Sequence, residues 1–133
     1  MIVINSKEVS VNCAIEECFD FLSDMNNYEQ LLPEGKITNW ESTQNKCCFK
    51  LQNVYTLELI HDHSTDNNII HIKSGPASPF SFDLDLYLKP TEKITIAQLK
   101  CSADINPILK MIIEKPLNNL FDYMADRLAK IKS

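Results

Sequence analysis

The chain of 133 residues is 44% hydrophobic and 23% charged, proportions typical of one globular domain that folds without disulfides or a metal. Its net charge of −5 disfavours sequence-independent nucleic-acid binding and polybasic attachment to membranes, because both depend on an excess of Lys and Arg. It has only two glycines, Gly35 and Gly75, so it cannot form a Walker A loop or a dinucleotide-binding loop, which need several closely spaced glycines. We therefore expect a single domain over residues 1–133 that binds no nucleotide through such loops.

The first quarter of the chain predicts a strand and two short helices. Residues 2–11 are rich in β-branched side chains, which indicates a strand. Apolar residues then recur at helical spacing over residues 13–23, with two acidic residues in the first turn, where the helix dipole favours them. A second short helix is predicted from Met25 and ends before Pro33 and Gly35.

The central part of the chain predicts six further strands. They cover residues 36–43, 46–52, 54–63, 69–74, 80–89 and 93–102, with turn-forming residues between them. Apolar and polar residues alternate most clearly over residues 80–89, which indicates one buried and one solvated face. The short connections favour an antiparallel meander, because parallel neighbours need longer crossovers.

The chain ends in a predicted long helix. Asn106 is a typical N-cap, and Pro107 suits the first helical position. A broad apolar stripe then runs from Leu109 to Ile131 at helical spacing. Pro116 lies inside this stripe, and we expect a kink there because proline has no N–H to donate.

This order of elements resembles the helix-grip fold of the START-like superfamily, also called SRPBCC, which includes polyketide cyclases and lipid-transfer domains. The segments VNCAIEECFDFLSD (11–24) and NYEQLLP (27–33) resemble that family's first helix and its approach to the sheet, and LNNLFDYMADRLAKI (117–131) resembles its final helix. Ala14 departs from the pattern, because many relatives carry a Ser or Thr cap there, followed by proline. The resemblance implies an α+β fold in which a curved antiparallel seven-stranded sheet, with two short helices after the first strand, wraps around the C-terminal helix (β-α-α-β6-α).

The resemblance also implies a cavity for an apolar ligand between sheet and helix, of roughly 300–1,000 Å³, the usual range of ligand sites. A kink in the helix would widen the gap. Strand alternation and helical spacing then select the candidate ligand-binding residues, and the alternative is that they simply pack as core. The candidates are Phe49, Leu51, Tyr55, Leu57, Leu59, His61, Ile70, Ile72, Phe82, Leu84, Leu86, Leu99, Cys101, Leu109, Ile112, Ile113 and Leu117, with Cys47 and Ala97 on the same face.

The mouth of this cavity is predicted from the topology. In a meander, alternate loops lie at the same end of the sheet. Residues 33–35, 52–53, 75–79 and 103–107 are therefore expected to share one rim, which includes both glycines.

The three histidines, His61, His63 and His71, lie in one predicted hairpin. Strand alternation places the first two on one face and His71 on the other, which separates the third imidazole from the pair. We therefore predict no metal site. His61 and Tyr55 both point into the predicted cavity, and they are the candidate acid–base residues if the protein is an enzyme.

Four acidic residues in the strands are predicted to be solvated. Glu58, Asp62, Asp83 and Asp85 alternate with apolar residues, which places them on the outer face of the sheet. A metal or acid pair made from them is the less favoured alternative.

Five cysteines are spread along the chain, at positions 13, 18, 47, 48 and 101. Their odd number and the absence of a C-x-x-C motif disfavour a disulfide framework and a zinc site. Adjacent strand residues point to opposite faces, so Cys47 and Cys48 are not expected to form a redox pair. The longest apolar run, residues 1–4, is too short for a signal sequence or a membrane span. We expect a cytoplasmic protein with no integral membrane segment.

The function that these features favour is the binding, or the transport or sequestration, of an apolar small molecule such as a lipid or a polycyclic compound. One alternative is a cyclase- or dehydratase-type enzyme that acts on a polyketide-like substrate. Another is a protein-interaction module, similar to a co-chaperone, which a filled cavity and a conspicuous apolar surface patch would favour. We predict no cofactor and no nucleic-acid partner, and no particular protein partner is indicated.

Overall fold

The structure, a computed structural model, describes residues 2–52, 55–66 and 68–131. Asn53, a predicted rim residue, Val54, the predicted first residue of a strand, and Asn67, a predicted turn residue, lie outside the described residues. The strands are β1 (Ile2–Asn5), β2 (Val9–Val11), β3 (Ile37–Ser42), β4 (Lys46–Leu51), β5 (Tyr55–Thr65), β6 (Ile69–Ser74), β7 (Ser81–Pro90) and β8 (Thr95–Asp104). The helices are α1 (Ile15–Leu22), a 3₁₀ helix (Met25–Leu31) and α2 (Pro107–Ile131).

All eight strands belong to one antiparallel sheet with the order β1-β8-β7-β6-β5-β4-β3, and β2 also pairs with β8. Consecutive strands from β3 to β8 are neighbours, which is the predicted meander. The element order and the long C-terminal helix confirm the predicted helix-grip arrangement.

The strand predicted over residues 2–11 is two strands, so the described residues form eight strands and not the predicted seven. Ser6 lies between them, and it is buried. Its N–H donates to the carbonyl of Leu99 at 2.8 Å, and its hydroxyl accepts from the N–H of Leu99 at 2.9 Å. These bonds satisfy the backbone of β8 where the regular ladder is interrupted, so both short strands remain attached to the same neighbour.

The two short elements after β2 bury apolar side chains in the core, and hydrogen bonds fix their ends. Ala14, at the start of α1, provides no side-chain cap, so only the acidic residues of the first turn complement the dipole. The 3₁₀ helix is capped by Asp24, whose carboxylate accepts from the N–H of Asn26 at 3.0 Å. The buried hydroxyl of Tyr28 donates to the carbonyl of Leu22 at 2.8 Å and so ties the 3₁₀ helix to α1.

Helix α2 supplies the side of the core opposite the sheet. The side chain of Asn106 accepts from the N–H of Leu109 at 2.8 Å, which confirms the predicted N-cap. The helix is continuous through Pro116. Its buried side chains are Ile113, Leu117, Leu120, Phe121, Met124, Ala125 and Leu128.

Candidate ligand-binding site

The interior between the sheet and α2 is almost filled. It contains an apolar void of about 10 Å³, which holds no more than about one water molecule. The void is lined by Phe49, Leu57, Leu59, Phe80, Phe82, Cys101, Leu117, Leu120, Phe121 and Met124. The expected cavity of roughly 300–1,000 Å³ is therefore wrong in size for this conformation, because large side chains from α2 occupy the space beneath the sheet.

The predicted ligand-binding residues separate into groups. Those that line the void are Phe49, Leu57, Leu59, Phe82, Cys101 and Leu117. A second group is buried in the core without lining it, as the core-packing alternative expects; its members are Ile70, Ile72, Leu84, Leu86, Leu99 and Ile113, with Cys47 and Ala97. The remaining candidates do not line the void and are described individually below. They are Leu51, Tyr55, His61, Leu109 and Ile112.

Four residues that line the void were not among the candidates: Phe80, Leu120, Phe121 and Met124. The sequence carried a signal for each of them. Leu120, Phe121 and Met124 follow Leu117 at helical spacing on the same stripe. Phe80 precedes Phe82 by two positions, so strand alternation places both on one face; their rings lie 5.5 Å apart, centroid to centroid.

A larger hollow opens at the surface beside the void. Its volume is about 450 Å³, and its walls are Pro33, Lys36, Leu51, Gln52, Lys115, Pro116, Asn119, Leu120 and Tyr123. Two of the predicted rim segments border it, because Pro33 and Gln52 both line the hollow. Leu120 lines both the hollow and the void, so this one side chain stands between them.

The loop around Gly75 does not line this hollow, although it was expected to share its rim. It folds onto Glu58 on the other face of the sheet. The N–H of Ala77 donates to Oε1 of Glu58 at 3.1 Å, and the N–H of Glu58 donates to the hydroxyl of Ser78 at 2.8 Å. A Cβ at Gly75 would overlap the Glu58 side chain, so this close approach requires glycine.

The prediction that Glu58 is solvated is therefore wrong, because the loop covers a side chain that strand alternation places on the outer face. The Nζ atom of Lys46 lies 3.9 Å from Oε2 of Glu58. Asp62 and Asp83 are exposed as predicted, and Asp85 is half-buried.

The arrangement of the histidines also differs from the prediction. The register of β5 against β6 shifts between His61 and His63, so that Asp62 is an extra residue and His63 pairs with His71. A bulge of this kind reverses the alternation beyond it. The rings of His63 and His71 stack at 4.3 Å, and Nδ1 of His71 lies 2.8 Å from Oδ1 of Asp85. The two imidazoles predicted to be apart are thus neighbours on the outer face.

In the part of the chain that the structure describes, no three His, Cys, Asp or Glu side chains are grouped so that they could hold a metal ion. No described helix has the length and apolar character needed to cross a membrane.

The two candidate acid–base residues lie far apart. Tyr55 and His61 are six positions apart in β5, which corresponds to about 20 Å along an extended strand. Nε2 of His61 lies 3.1 Å from the hydroxyl of Ser64, at the exposed end of the strand. Tyr55 is half-buried at the other end, directly opposite Leu51. The pair does not converge on one reacting bond.

The hydroxyl of Tyr55 is buried and has no hydrogen-bond partner among the described residues. Burial also raises the pKa of Tyr55, so the phenol stays protonated at neutral pH. Burial likewise raises the pKa of Cys47 and of Cys101 to about 12, so the thiol that lines the void is a neutral group.

Two predicted ligand-binding residues on α2 are not fully buried. Ile112 is 62% exposed, and Leu109 is half-buried against the core. Each helical residue turns by about 100°, so Ile112 points away from the sheet when Ile113 points toward it. Ile112 forms an exposed apolar patch with Ile108 and Met111, which are 75% and 85% exposed; we call these three residues the helix patch.

The same fold occurs in solved structures of low sequence identity. A START superfamily protein from Mycobacterium smegmatis matches 97% of this chain and 98% of its own, with a TM-score of 0.68 and 14% identity. A norcoclaurine synthase point mutant from Thalictrum flavum, solved in complex with a transition state analogue, matches 99% of this chain and 96% of its own, with a TM-score of 0.70 and 13% identity. The di-domain ARO/CYC protein BexL of the BE-7585A biosynthetic pathway matches 98% of this chain and 46% of its own, with a TM-score of 0.72 and 8% identity.

Comparisons of the sequence itself found no matching protein family and no matching curated protein. The fold is therefore established by structural likeness over nearly the whole chain, together with the order of strands and helices. The chain has the START-like helix-grip fold.

Proposed function

We propose that the protein binds a small, largely apolar molecule that sits in the hollow beside α2 and extends past Leu120 into the interior. The observation that carries this proposal is the adjacency of the two spaces at Leu120. The hollow, at about 450 Å³, is within the range of ligand sites, roughly 300–1,000 Å³.

The chemistry of the walls supports an apolar ligand with a solvated end. The void beneath Leu120 is lined only by apolar side chains and one thiol. The hollow adds Lys36, Gln52 and Lys115, which are exposed, so the polar groups lie toward water. The walls therefore suit a ligand whose apolar body is buried in the interior and whose other end lies among these polar side chains.

Likeness to proteins of the same fold adds support. The norcoclaurine synthase structure holds a transition state analogue, so the fold accommodates a small molecule in that protein. In the present chain the interior is nearly closed, and we propose that Leu120 changes rotamer when a ligand enters. The ligand then replaces the contacts that the side chain loses.

Fluorescence of Trp40 tests the proposal. This residue is the only tryptophan, and its ring stacks at 6.0 Å on Phe49, which lines the void. Titration with the neutral dye N-phenyl-1-naphthylamine is expected to quench Trp40 with one dye per chain. The variant Asn119→Phe, which narrows the hollow, is expected to weaken binding severalfold. The control Glu114→Phe, at an exposed helix position outside the hollow, is expected to leave it unchanged.

Two results would contradict ligand binding at this place. One is the absence of saturable binding of the dye and of a matched series of naphthalene derivatives. The other is equal dye affinity in Asn119→Phe and in Glu114→Phe, since only the first residue lines the hollow.

A protein-interaction role is the second candidate, and one observation favours it. The interior is nearly full, and the helix patch exposes three large apolar side chains side by side. Such patches are common at protein interfaces. A photo-crosslinking residue at position 111 is expected to capture one defined partner in the source cell, and the same residue at exposed Lys89 on β7 is not. Equal or absent capture at both positions would contradict this role.

A further inference from the structure

The buried hydroxyl of Tyr55 is a feature that packing does not explain. It has no hydrogen-bond partner in the described part of the chain, and an unpaired buried hydroxyl lowers stability. Phenylalanine has nearly the same shape and would fill the same place without this cost. We therefore expect the hydroxyl of Tyr55 to have a role other than stabilising the unliganded fold.

Tyr55 lines neither the hollow nor the void, but its neighbours in the sheet line both. It lies on the inner face of the sheet, directly opposite Leu51, which lines the hollow. Two residues further along β5 is Leu57, which lines the void and pairs with Phe49. Tyr55 thus stands in the sheet where the walls of the hollow give way to the walls of the void, and its ring packs against the apolar core.

We propose that the ligand carries a hydrogen-bonding oxygen, such as a ketone or a hydroxyl group, that pairs with the hydroxyl of Tyr55, and that the ligand is otherwise apolar. This inference rests on the proposed function, because it describes the same bound molecule. A phenol both donates and accepts. A ketone oxygen would accept a hydrogen bond from this hydroxyl, so that binding completes a hydrogen bond that the unliganded protein lacks.

The hydroxyl of Tyr55 would also make the site selective between ligands. A hydrocarbon of the same shape would fill the interior equally well but leave the hydroxyl unpaired, as it is in the free protein. A site with a buried hydrogen-bonding group discriminates against ligands that cannot pair with it. Tyr55 is therefore a specificity-determining residue and a positioning residue, because it fixes which end of the molecule stays near the mouth.

The test uses two ligands of matched shape, 1-acetylnaphthalene and its hydrocarbon isostere 1-isopropenylnaphthalene, and isothermal titration calorimetry. In the natural protein the ketone is expected to bind more tightly, relative to the hydrocarbon, than it does in Tyr55→Phe. The change in this ratio is expected to be roughly 2- to 10-fold, which corresponds to one neutral hydrogen bond. The hydrocarbon is expected to bind both proteins alike. Tyr87→Phe, on the exposed face of β7, is the matched control and should change neither affinity.

A second measurement reports on the phenol itself. With ¹³C-labelled tyrosine, the Cζ resonance of Tyr55 is expected to shift on addition of the ketone and to stay in place with the hydrocarbon. Urea unfolding of Tyr55→Phe should show equal or greater stability than the natural chain, because the substitution removes an unpaired hydroxyl.

The experiments distinguish a failure of ligand binding itself from a failure of the role given to Tyr55. If neither naphthalene derivative binds, ligand binding itself is overturned. If both bind and the ratio of their affinities is the same in the natural protein and in Tyr55→Phe, ligand binding stands and the role of Tyr55 is overturned. An unchanged Cζ resonance in the ketone complex would likewise overturn it, even if Tyr55→Phe failed to fold.

Discussion

The two halves of α2 differ in how much they contribute to the core. From Leu117 to Ile131 the side chains of the helix form a continuous buried stripe. The helix contacts β1, β2 and β8 of the sheet, and it also contacts the 3₁₀ helix. From Pro107 to Pro116 it buries only Ile113 fully, and the helix patch faces water. The first half also borders the hollow, through Lys115 and Pro116.

The two halves of α2 therefore differ in how easily they can move away from the core. The second half is anchored by dispersion and hydrophobic contacts that are lost if it moves. The first half has few such contacts, and segments of this kind open at low cost in free energy. The hollow lies where the halves meet, because Asn119, Leu120 and Tyr123 of the second half line it too. We infer that the first half yields when a ligand enters, while the second half holds the fold together.

The largest expected effect is on the second half. Phe121→Ala removes a ring that is 4% exposed and lines the void, so we expect the free energy of unfolding to fall by about 3–5 kcal/mol. Met111→Ala, in the first half, is 85% exposed and is expected to change it by less than about 0.5 kcal/mol. Urea unfolding followed by circular dichroism measures both, and similar losses in the two variants would contradict the division of the helix.

Pro116 lies at the boundary between the halves, and its replacement should reduce the difference in local stability between them. Pro116→Ala restores an N–H that can donate to the carbonyl of Ile112. We expect stability to rise by up to about 3 kcal/mol, since a proline within a helix costs roughly that amount. Hydrogen exchange should show slower exchange from Ile112 to Leu120. If exchange in the first half is unchanged, the low number of packing contacts, and not the proline, determines its opening.

Much of this architecture was predictable from local patterns. The strands of the meander, the cap at Asn106 and the buried stripe after Leu117 follow from alternation, capping chemistry and helical spacing. The bulge at Asp62 was not predictable, because a single extra residue has no compositional mark, yet it moves His63 to the other face. The covering of Glu58 depends on where a distant loop folds, which alternation within one strand does not determine.

The size of the interior was unpredictable for a related reason. The sequence names the apolar side chains but not the distance between helix and sheet. Leu120, Phe121 and Met124 all point inward and reduce the void to about 10 Å³. Packing density is a property of the assembled layers, so a filled interior and an open one have similar sequence patterns.

A smaller effect is expected on thiol reactivity, and it tests access beneath the second half. Cys101 lines the void, and Cys47 is buried elsewhere on the same face. Because burial raises the pKa of both thiols to about 12, alkylation by iodoacetamide should be slow at neutral pH. It should accelerate roughly tenfold per pH unit until that pKa, because only the thiolate reacts.

Saturating 1-acetylnaphthalene should slow alkylation at Cys101 severalfold and leave Cys47 unchanged, as peptide mass spectrometry would show. Equal protection of the two thiols would mean that the ligand tightens the whole fold and does not occupy the void.

The smallest expected effect is at Ile112, and it decides between two placements of this residue. Strand and helix patterns placed it in the ligand site, whereas the structure turns it to the surface, where it is 62% exposed. Ile112→Gln is therefore expected to change stability by less than about 0.5 kcal/mol, because glutamine is as good a helix former as isoleucine and no core contact is lost. Dye affinity should also stay the same. A stability loss comparable to that of Ile113→Gln, its buried neighbour, would mean that the first half of α2 rotates by about one residue and that the helix patch belongs to the site.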